Sequence, residues 1–337
     1  WHETGCYLEE LWRRERAESV TRALSRFNKT PSSKLLTLLE PQAMLINRLD
    51  DASLSHEDRL LIGQKLCEFG DPRHGVGLKD GLPDIMWIDI PGGEVKLESV
   101  DQVFLVKPFR IAKYPITNAQ FDAFLMAQAG YGSEAWWKDI ERREAAQPSW
   151  REVNGPRETV SWYDAIAVCR WLSATTGTSI RLPTEWEWQQ AATGGDPQRE
   201  YPWEGGWDDS RGNSIESRLN RTTGVGMYPQ GATLQGVMDM AGNVWEWCLN
   251  EYDNPERPEA ISINDKAGQR VIRGGSWYSG PLNLRASNRG RYGTATGTAA
   301  WGFVSFRTFP NPLLFVLLPF ASDSVGRMSF LRNDGAE

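Results

Sequence analysis

Cysteine, histidine and tryptophan are the residues whose types and spacing decide which chemistry this chain can carry. Its four cysteines, Cys6, Cys67, Cys169 and Cys248, are scattered. They match neither a metal-binding spacing nor a disulfide framework, and they read as free thiols of a reducing compartment. The three histidines all precede residue 75. Among them His56 and His74 have nothing to pair with and read as lone surface side chains. Trp203, Trp207, Trp245 and Trp247 resemble a platform for a sugar ring, but in a chain with 16 Trp a core of packed indoles is the simpler reading.

A second kind of chemistry, recognition by a displayed surface, is written in residues 270–303, RVIRGGSWYSGPLNLRASNRGRYGTATGTAAWGF. The stretch opens as a strand, breaks on Gly274-Gly275, pins Ser276-Trp277 and closes on Trp301-Gly302-Phe303. Between Tyr278 and Ala300 the only charges are Arg285, Arg289 and Arg291, and Lys, Asp, Glu, Gln, His, Met and Cys are absent. A loop of this length inside a compact domain is usually functional or disordered. Its aromatic bookends argue for an ordered, displayed loop.

The elements that must hold this segment follow from periodicity and capping. Residues 8–27 and 34–39 read as helices, and 53–69 as another, with Ser55 as N-cap and Gly70 as its stop. Residues 1–80 are therefore a helical extension. A turn-rich linker at 80–84 (DGLPD) marks a change of texture. Strands are expected at 86–90, 103–107 and 109–114. Helices are expected at 117–127, 161–175 and 184–192, the last opened by a Thr184/Glu187 capping box. Cys169 falls on the buried face of the second and reads as a core thiol. Residues 203–237 read almost wholly as turn and loop.

Composition sets the outer limits. A 337-residue chain has ample surface to bury. A charged fraction of 24% and a net charge of -7 leave no basic face for nucleic acid. The longest apolar run, 313–321, is far too short for a membrane span and contains Pro319. The chain begins with Trp1 rather than Met, as a trimmed chain or a fragment would. No basic-then-apolar leader is visible, and with free cysteines this favours the cytoplasm.

Six motifs in order carry a family resemblance: PGGE at 91–94, YPITNAQF at 114–121, VSWYDA at 160–165, RLPTEWEW at 181–188, GNVWEW at 242–247 and RGGSW at 273–277. In this order the chain resembles the formylglycine-generating enzyme (sulfatase-modifying factor) family over residues 85–310. The resemblance implies an α+β C-type lectin-like fold, here with an N-terminal helical extension over 1–80 and a C-terminal tail over 311–337. Oxidases of the family bind copper through two cysteines just after the GGS strand, and soft thiolates suit Cu(I). The equivalent residues 278–289 contain no cysteine. Iron-dependent sulfoxide synthases with a similar domain need a histidine cluster, which this domain lacks. The expectation is a non-enzyme.

The resemblance also allows calcium. Asn243 with Glu246, and Asn213 with Glu216, are candidate oxygen ligands for Ca²⁺, although hard cations want more oxygens than two side chains supply. The alternative is that Asn243 makes a tight turn and Glu246 meets an arginine such as Arg273. No cofactor is otherwise expected.

The nine residue types within 278–300 can all arise from an AAC or AAT codon whose adenines are replaced, while Lys, Glu, Gln, Met and Trp, which cannot, are absent. That bias resembles the variable region, here about 277–306, of a diversity-generating retroelement target protein, which presents a randomised binding face on this same fold. The display set implied is Tyr278, Ser279, Gly280, Leu282, Asn283, Gly290, Tyr292, Gly293, Thr294, Thr296, Ala299 and Ala300. Trp277, Arg285, Ala286, Arg289, Gly302 and Phe303 match fixed family positions and read as scaffold. Arg285 and Arg289 are expected to pair with buried carboxylates or carbonyls. Tyr278 and Tyr292 are the expected hot spots. A flat surface of small residues favours a protein or other macromolecular ligand over a small molecule. The alternatives are an undiversified binding or signalling domain and an unrecognised oxidoreductase.

Overall fold

The computed structural model describes residues 42–263, 268–294, 304–306 and 309–310. The expected helices at 8–27 and 34–39, the apolar run at 313–321, and Cys6 lie outside them.

Alternation along two strands sets the architecture. Strands β8 (Trp245–Glu251) and β9 (Gln269–Arg273) pair antiparallel, with Glu246 opposite Arg273 and Trp247 opposite Ile272. Trp247 and Ile272 point into one apolar cluster, whereas their neighbours Cys248 and Val271 point into another. Successive strand residues face opposite sides of a sheet, so this sheet is covered on both. Strand β10 (Gly290–Gly293) adds antiparallel to β9, and β11 (Val304–Phe306) adds parallel to β8.

The first cluster lies under helices α3 (Asn118–Met126) and α4 (Trp162–Thr176), which contribute Phe121, Phe124, Trp162 and Trp171. The second lies under α5 (Glu185–Thr193) and two ribbons, where Trp188 meets Phe104 and Ile111. One ribbon joins β3 (Trp87–Ile90) to β6 (Phe109–Ala112), and the other joins β4 (Gly93–Lys96) to β5 (Val103–Val106). A short pair joins β7 (Ile180–Arg181) to β12 (Phe309–Pro310). The result is the α+β C-type lectin-like arrangement, with helix ends where the caps place them. Capping boxes form at Thr117/Gln120, Ser161/Asp164 and Thr184/Glu187, and α4 and α5 stop on left-handed Gly177 and Gly194.

Two expectations need correcting. The linker at 80–84 is a hairpin between β1 (Leu78–Lys79) and β2 (Leu82–Pro83). Asp80 and Gly81 both have positive φ, 52° and 78°, which is what an Asp-Gly hairpin turn demands. The segment after Gly275 is not loop throughout: it contains α6 (Pro281–Leu284) as well as β10.

The N-terminal helices are docked on the sheet-bearing part of the chain. Helix α1 (Gln42–Arg48) and helix α2 (His56–Phe69), capped by Ser55 and ended at Gly70, bury Leu45, Leu49, Ile62 and Leu66 against Met227 and Tyr228. Arg59 is fully buried and donates to the carbonyls of Leu49, Asp51 and Met227 and to Gln230 Oε1, over distances of 2.8–3.2 Å. The histidines are not alone. His56 Nδ1 lies 3.0 Å from Tyr228 Oη, and His74 Nδ1 lies 2.6 Å from Asp84 Oδ2.

Arg59→Ala strands those buried acceptors. We expect a loss of about 2–4 kcal/mol in chemical denaturation, with α1 and α2 becoming the first site of limited proteolysis. An unchanged denaturation midpoint contradicts the docking role.

Candidate binding face

The part of the displayed segment between β9 and β10 is clamped at its two ends by one carboxylate. Glu185 opens α5 and is completely buried. Arg273, the last residue of β9, donates from Nη1 to Glu185 Oε2 at 3.2 Å. Arg289, just before β10, donates from Nε and Nη2 to the two Glu185 oxygens, both at 2.7 Å. Asn250 completes the group, donating to Glu185 Oε1 at 2.9 Å and accepting the Glu185 N–H at 2.8 Å. Burial pulls the Arg273 guanidinium below the usual arginine range against the attraction of Glu185. Burial opposes the Arg289 charge too, but its bonds to Glu185 outweigh that and hold its pKa above the ordinary value. The expected carboxylate partner of Arg289 is thus present. Arg285 donates to the Leu282 carbonyl at 3.2 Å and lies 3.5 Å from Glu98.

Between the clamps the chain folds on itself. Gly274 and Gly275 have φ of 90° and 72°. A Cβ on Gly275 would lie 2.4 Å from Leu284 Cδ2 and 3.0 Å from the Asn283 carbonyl, so the tight return requires glycine there. Ser276 is buried, its N–H donates to Ser279 Oγ at 3.0 Å, and the Ser279 N–H returns to the Ser276 carbonyl at 2.8 Å. This turn leaves Tyr278 47% exposed. Pro281 then starts α6 at the position where a missing N–H costs nothing. Leu284 is buried, whereas Leu282 is 73% exposed and Asn283 is exposed beside it.

The expected display residues therefore separate. Tyr278, Leu282 and Asn283 face solvent, and Gly280, Tyr292 and Gly293 are half-buried. Tyr292 also packs edge-on to Trp247 at 6.4 Å, so part of this expected hot spot supports the core. Ser279 and Thr294 are buried, the latter accepting a hydrogen bond from Tyr163 Oη at 2.9 Å, and both correct the sequence reading. Gly290 is a packing position as well, since a Cβ there would meet Ile272 Cγ1 at 2.8 Å. Thr296, Ala299 and Ala300, with Gly302 and Phe303 of the scaffold set, lie outside the described residues.

Sequence reasoning missed two fixed neighbours of the face. Trp150 packs edge-on to Trp277 at 5.7 Å, and Trp277 to Tyr278 at 5.5 Å, making an aromatic row. Ile215 is 46% exposed, and its N–H donates to the Ser279 carbonyl at 3.2 Å. Nothing local in the sequence ties residues 150 or 215 to the segment.

The calcium candidates are turned to other work. Asn243 has φ of 65° and makes the tight turn of the alternative reading. Its Oδ1 accepts from the Thr223 N–H at 3.0 Å and from Asn213 Nδ2 at 3.2 Å. Asn213 Oδ1 accepts from Ser217 Oγ at 2.9 Å. Glu246 accepts from Trp188 Nε1 at 2.9 Å and Glu216 from Trp207 Nε1 at 2.6 Å. Each of the four side chains thus accepts from a protein donor, and Asn213 and Asn243 are bonded to one another. The expected Glu246–Arg273 pairing is replaced by Glu246–Trp188 and Arg273–Glu185. Among the indoles, Trp203 and Trp247 are buried, and Trp203 and Trp207 pack on Tyr201 at 5.5 and 5.3 Å, as a core rather than a platform. Cys169 and Cys248 are buried free thiols.

Residues 82–309 match the sulfatase-modifying factor enzyme 1-like domain. The chain is 30% identical over 288 residues to hercynine oxygenase of Mycolicibacterium smegmatis, covering 69% of this chain and 64% of that enzyme. It thus spans less than two thirds of that relative. It is 28% identical over 263 residues to inactive C-alpha-formylglycine-generating enzyme 2 of Bos taurus, covering 64% and 81%. In fold it is similar to PvdO from Pseudomonas aeruginosa, with a TM-score of 0.55, 23% identity and coverage of 71% and 99%. It is also similar to Treponema denticola variable protein 1, with a TM-score of 0.52, 19% identity and coverage of 68% and 95%.

Glu185→Ala leaves two buried guanidiniums without their acid. We expect a loss of about 3–5 kcal/mol, against no more than about 0.5 kcal/mol for Leu282→Ser, measured by denaturant unfolding. Similar losses for the two variants contradict the division between clamp and face.

Proposed function

The chain belongs to the sulfatase-modifying factor enzyme 1-like domain family, and from that premise we propose that it is a non-catalytic ligand-binding member, the target protein of a diversity-generating retroelement. The observation that carries this reading is the composition of 278–300: every residue type there is reachable by replacing adenines in an AAC or AAT codon. What supports it in three dimensions is that Tyr278, Leu282 and Asn283 stand in solvent on a segment fixed at both ends. The fold shared with the Treponema denticola variable protein adds to it.

The similarity to hercynine oxygenase favours a second reading, an oxidoreductase. The residues needed for such chemistry weigh against it. The segment 278–289 holds no cysteine pair for copper, and His56 and His74 are each engaged with another side chain. The ligand we favour is a protein. An aromatic row with small polar neighbours gives large rigid contacts and adaptable hydrogen bonding, as antibody loops do. Among the described residues no helix is long and apolar enough to cross a membrane. Free buried thiols favour a cytoplasmic setting.

Sequencing the gene's surroundings tests the reading. A near-copy of the segment encoding residues 270–306, differing almost only at adenines and lying beside a reverse transcriptase gene, is the expected result. Its absence defeats the proposal.

Enzyme function is tested separately. A cysteine-containing sulfatase peptide incubated with the copper-supplied protein is expected to keep its thiol. Aldehyde formation seen by mass spectrometry would restore the oxidase reading.

A further inference from the structure

The cleft between α1 and the ribbon-bearing part of the chain holds a charge that nothing described around it answers. It has a volume of about 300 Å³. Ile46 comes to it from α1 and Leu49 from the turn just after α1, and Met86, Tyr114 and Met238 line it as well. Lys113 lines the same space and is held by backbone on both sides. Its N–H donates to the Met86 carbonyl at 2.8 Å, and its own carbonyl accepts from the Met238 N–H at 2.9 Å. The ammonium lies 5.3 Å from the Tyr114 ring centroid.

Three of the acids nearby are committed elsewhere, and the fourth, Asp50, lines the outer part of the cleft. Asp71 holds Arg73 through both oxygens, at 2.9 and 2.6 Å. Asp84 takes His74 at 2.6 Å and the Gly75 N–H at 2.8 Å. Asp239 accepts the Gly226 N–H at 2.6 Å. Asp50 stands exposed at the rim. Among the described residues Lys113 has no carboxylate partner. Burial lowers the Lys113 pKa, and the Arg73 charge adds to the effect.

We propose that this cleft binds a small carboxylate with an apolar body, of the short-chain or aryl class, its charge set against the Lys113 ammonium. A lone half-buried ammonium is costly unless an anion accompanies it. An occupant that brings one recovers that cost, and a neutral ligand of the same shape does not. The volume sits at the lower end of the range for small-ligand sites, and the cleft combines apolar walls with Lys113, the ion-paired Arg73 and His74, and Asp50. Arg73 and His74 already have their own acids, which leaves one cation for one anion and argues against a multiply charged phosphate. The site is independent of the display-face reading.

Calorimetric titration of the full chain with hexanoate, hexanamide and hexylamine tests it. Hexanoate is expected to saturate one site and to bind about tenfold or more tightly than hexanamide, with hexylamine not binding. Lys113→Met should remove the preference for the acid, and Lys113→Arg should keep it. Ile46→Trp, which narrows the mouth without touching the charge, should weaken hexanoate as well. Equal affinity for hexanoate and hexanamide overturns the assignment, and so does a hexanoate affinity unchanged in a folded Lys113→Met variant. No saturation up to about 10 mM does so too. Should Lys113→Met fail to fold, the acid-against-amide comparison on the natural chain still decides.

Discussion

Glu185 is fully buried, and two arginines reach it from opposite ends of a single segment. Taking three charges out of water is costly, and their attraction offsets that cost only where geometry is good and the remaining donors are satisfied. Here Arg289 grips both oxygens, Asn250 ties the same carboxylate to β8, and Arg273 gives Nη2 to Gln189 Oε1 at 2.7 Å, while its buried Nε finds no partner among the described residues. An apolar trio of the same volume would fill the space but would not fix where the segment leaves and rejoins the sheet. The charged group sets position, because a guanidinium fork accepts few orientations against a carboxylate.

That clamp works only because the frame around it is stiff on both sides of the sheet. Trp162, Trp188 and Trp247 are fully buried, and each indole N–H has an acceptor: the Cys248 carbonyl, Glu246 and the Val160 carbonyl, at 2.9, 2.9 and 3.0 Å. Each tryptophan therefore supplies both area and a directional bond between elements distant in sequence. The Asn213–Asn243 pair does similar work in the loops. It satisfies backbone groups that no helix or strand reaches, and it supports the turn whose Asn243 carbonyl accepts the Trp277 N–H at 3.1 Å.

Local signals were legible and distant ones were not. The Thr184/Glu187 capping box is legible because a cap is decided within four residues. The Asp80-Gly81 hairpin is equally local, but its strands are two residues each, below the length at which alternation shows. In the segment after β9, Tyr278 and Leu282 are exposed, and Arg289 meets a buried carboxylate. The identity of that carboxylate was hidden, since Glu185 and Glu246 both sit in dense motifs and register alone decides between them. Glu246 is opposite Arg273 in the sheet, yet it turns to Trp188 because Arg273 reaches across to α5. Burial of Ser279 and Thr294 was hidden too, because small polar residues look the same in a displayed loop and in a locked turn.

Such buried positions limit how much of the segment is free to vary. Ser279 closes the turn through its hydroxyl, Thr294 accepts from Tyr163, and Gly290 has Ile272 where a side chain would go. Substitution at these positions meets packing or leaves a donor unmet, so it acts on folding before it acts on recognition. Leu282 and Asn283 stand exposed, and exposed side chains contribute little to stability, whereas Tyr278 is exposed but also packs on Trp277. The two sets interleave along the chain, since a turn and then a short helix carry alternate residues inward and outward. A segment can therefore change its binding surface without changing its shape only if variation tolerated by selection concentrates on the outward set, whatever the mutational process offers.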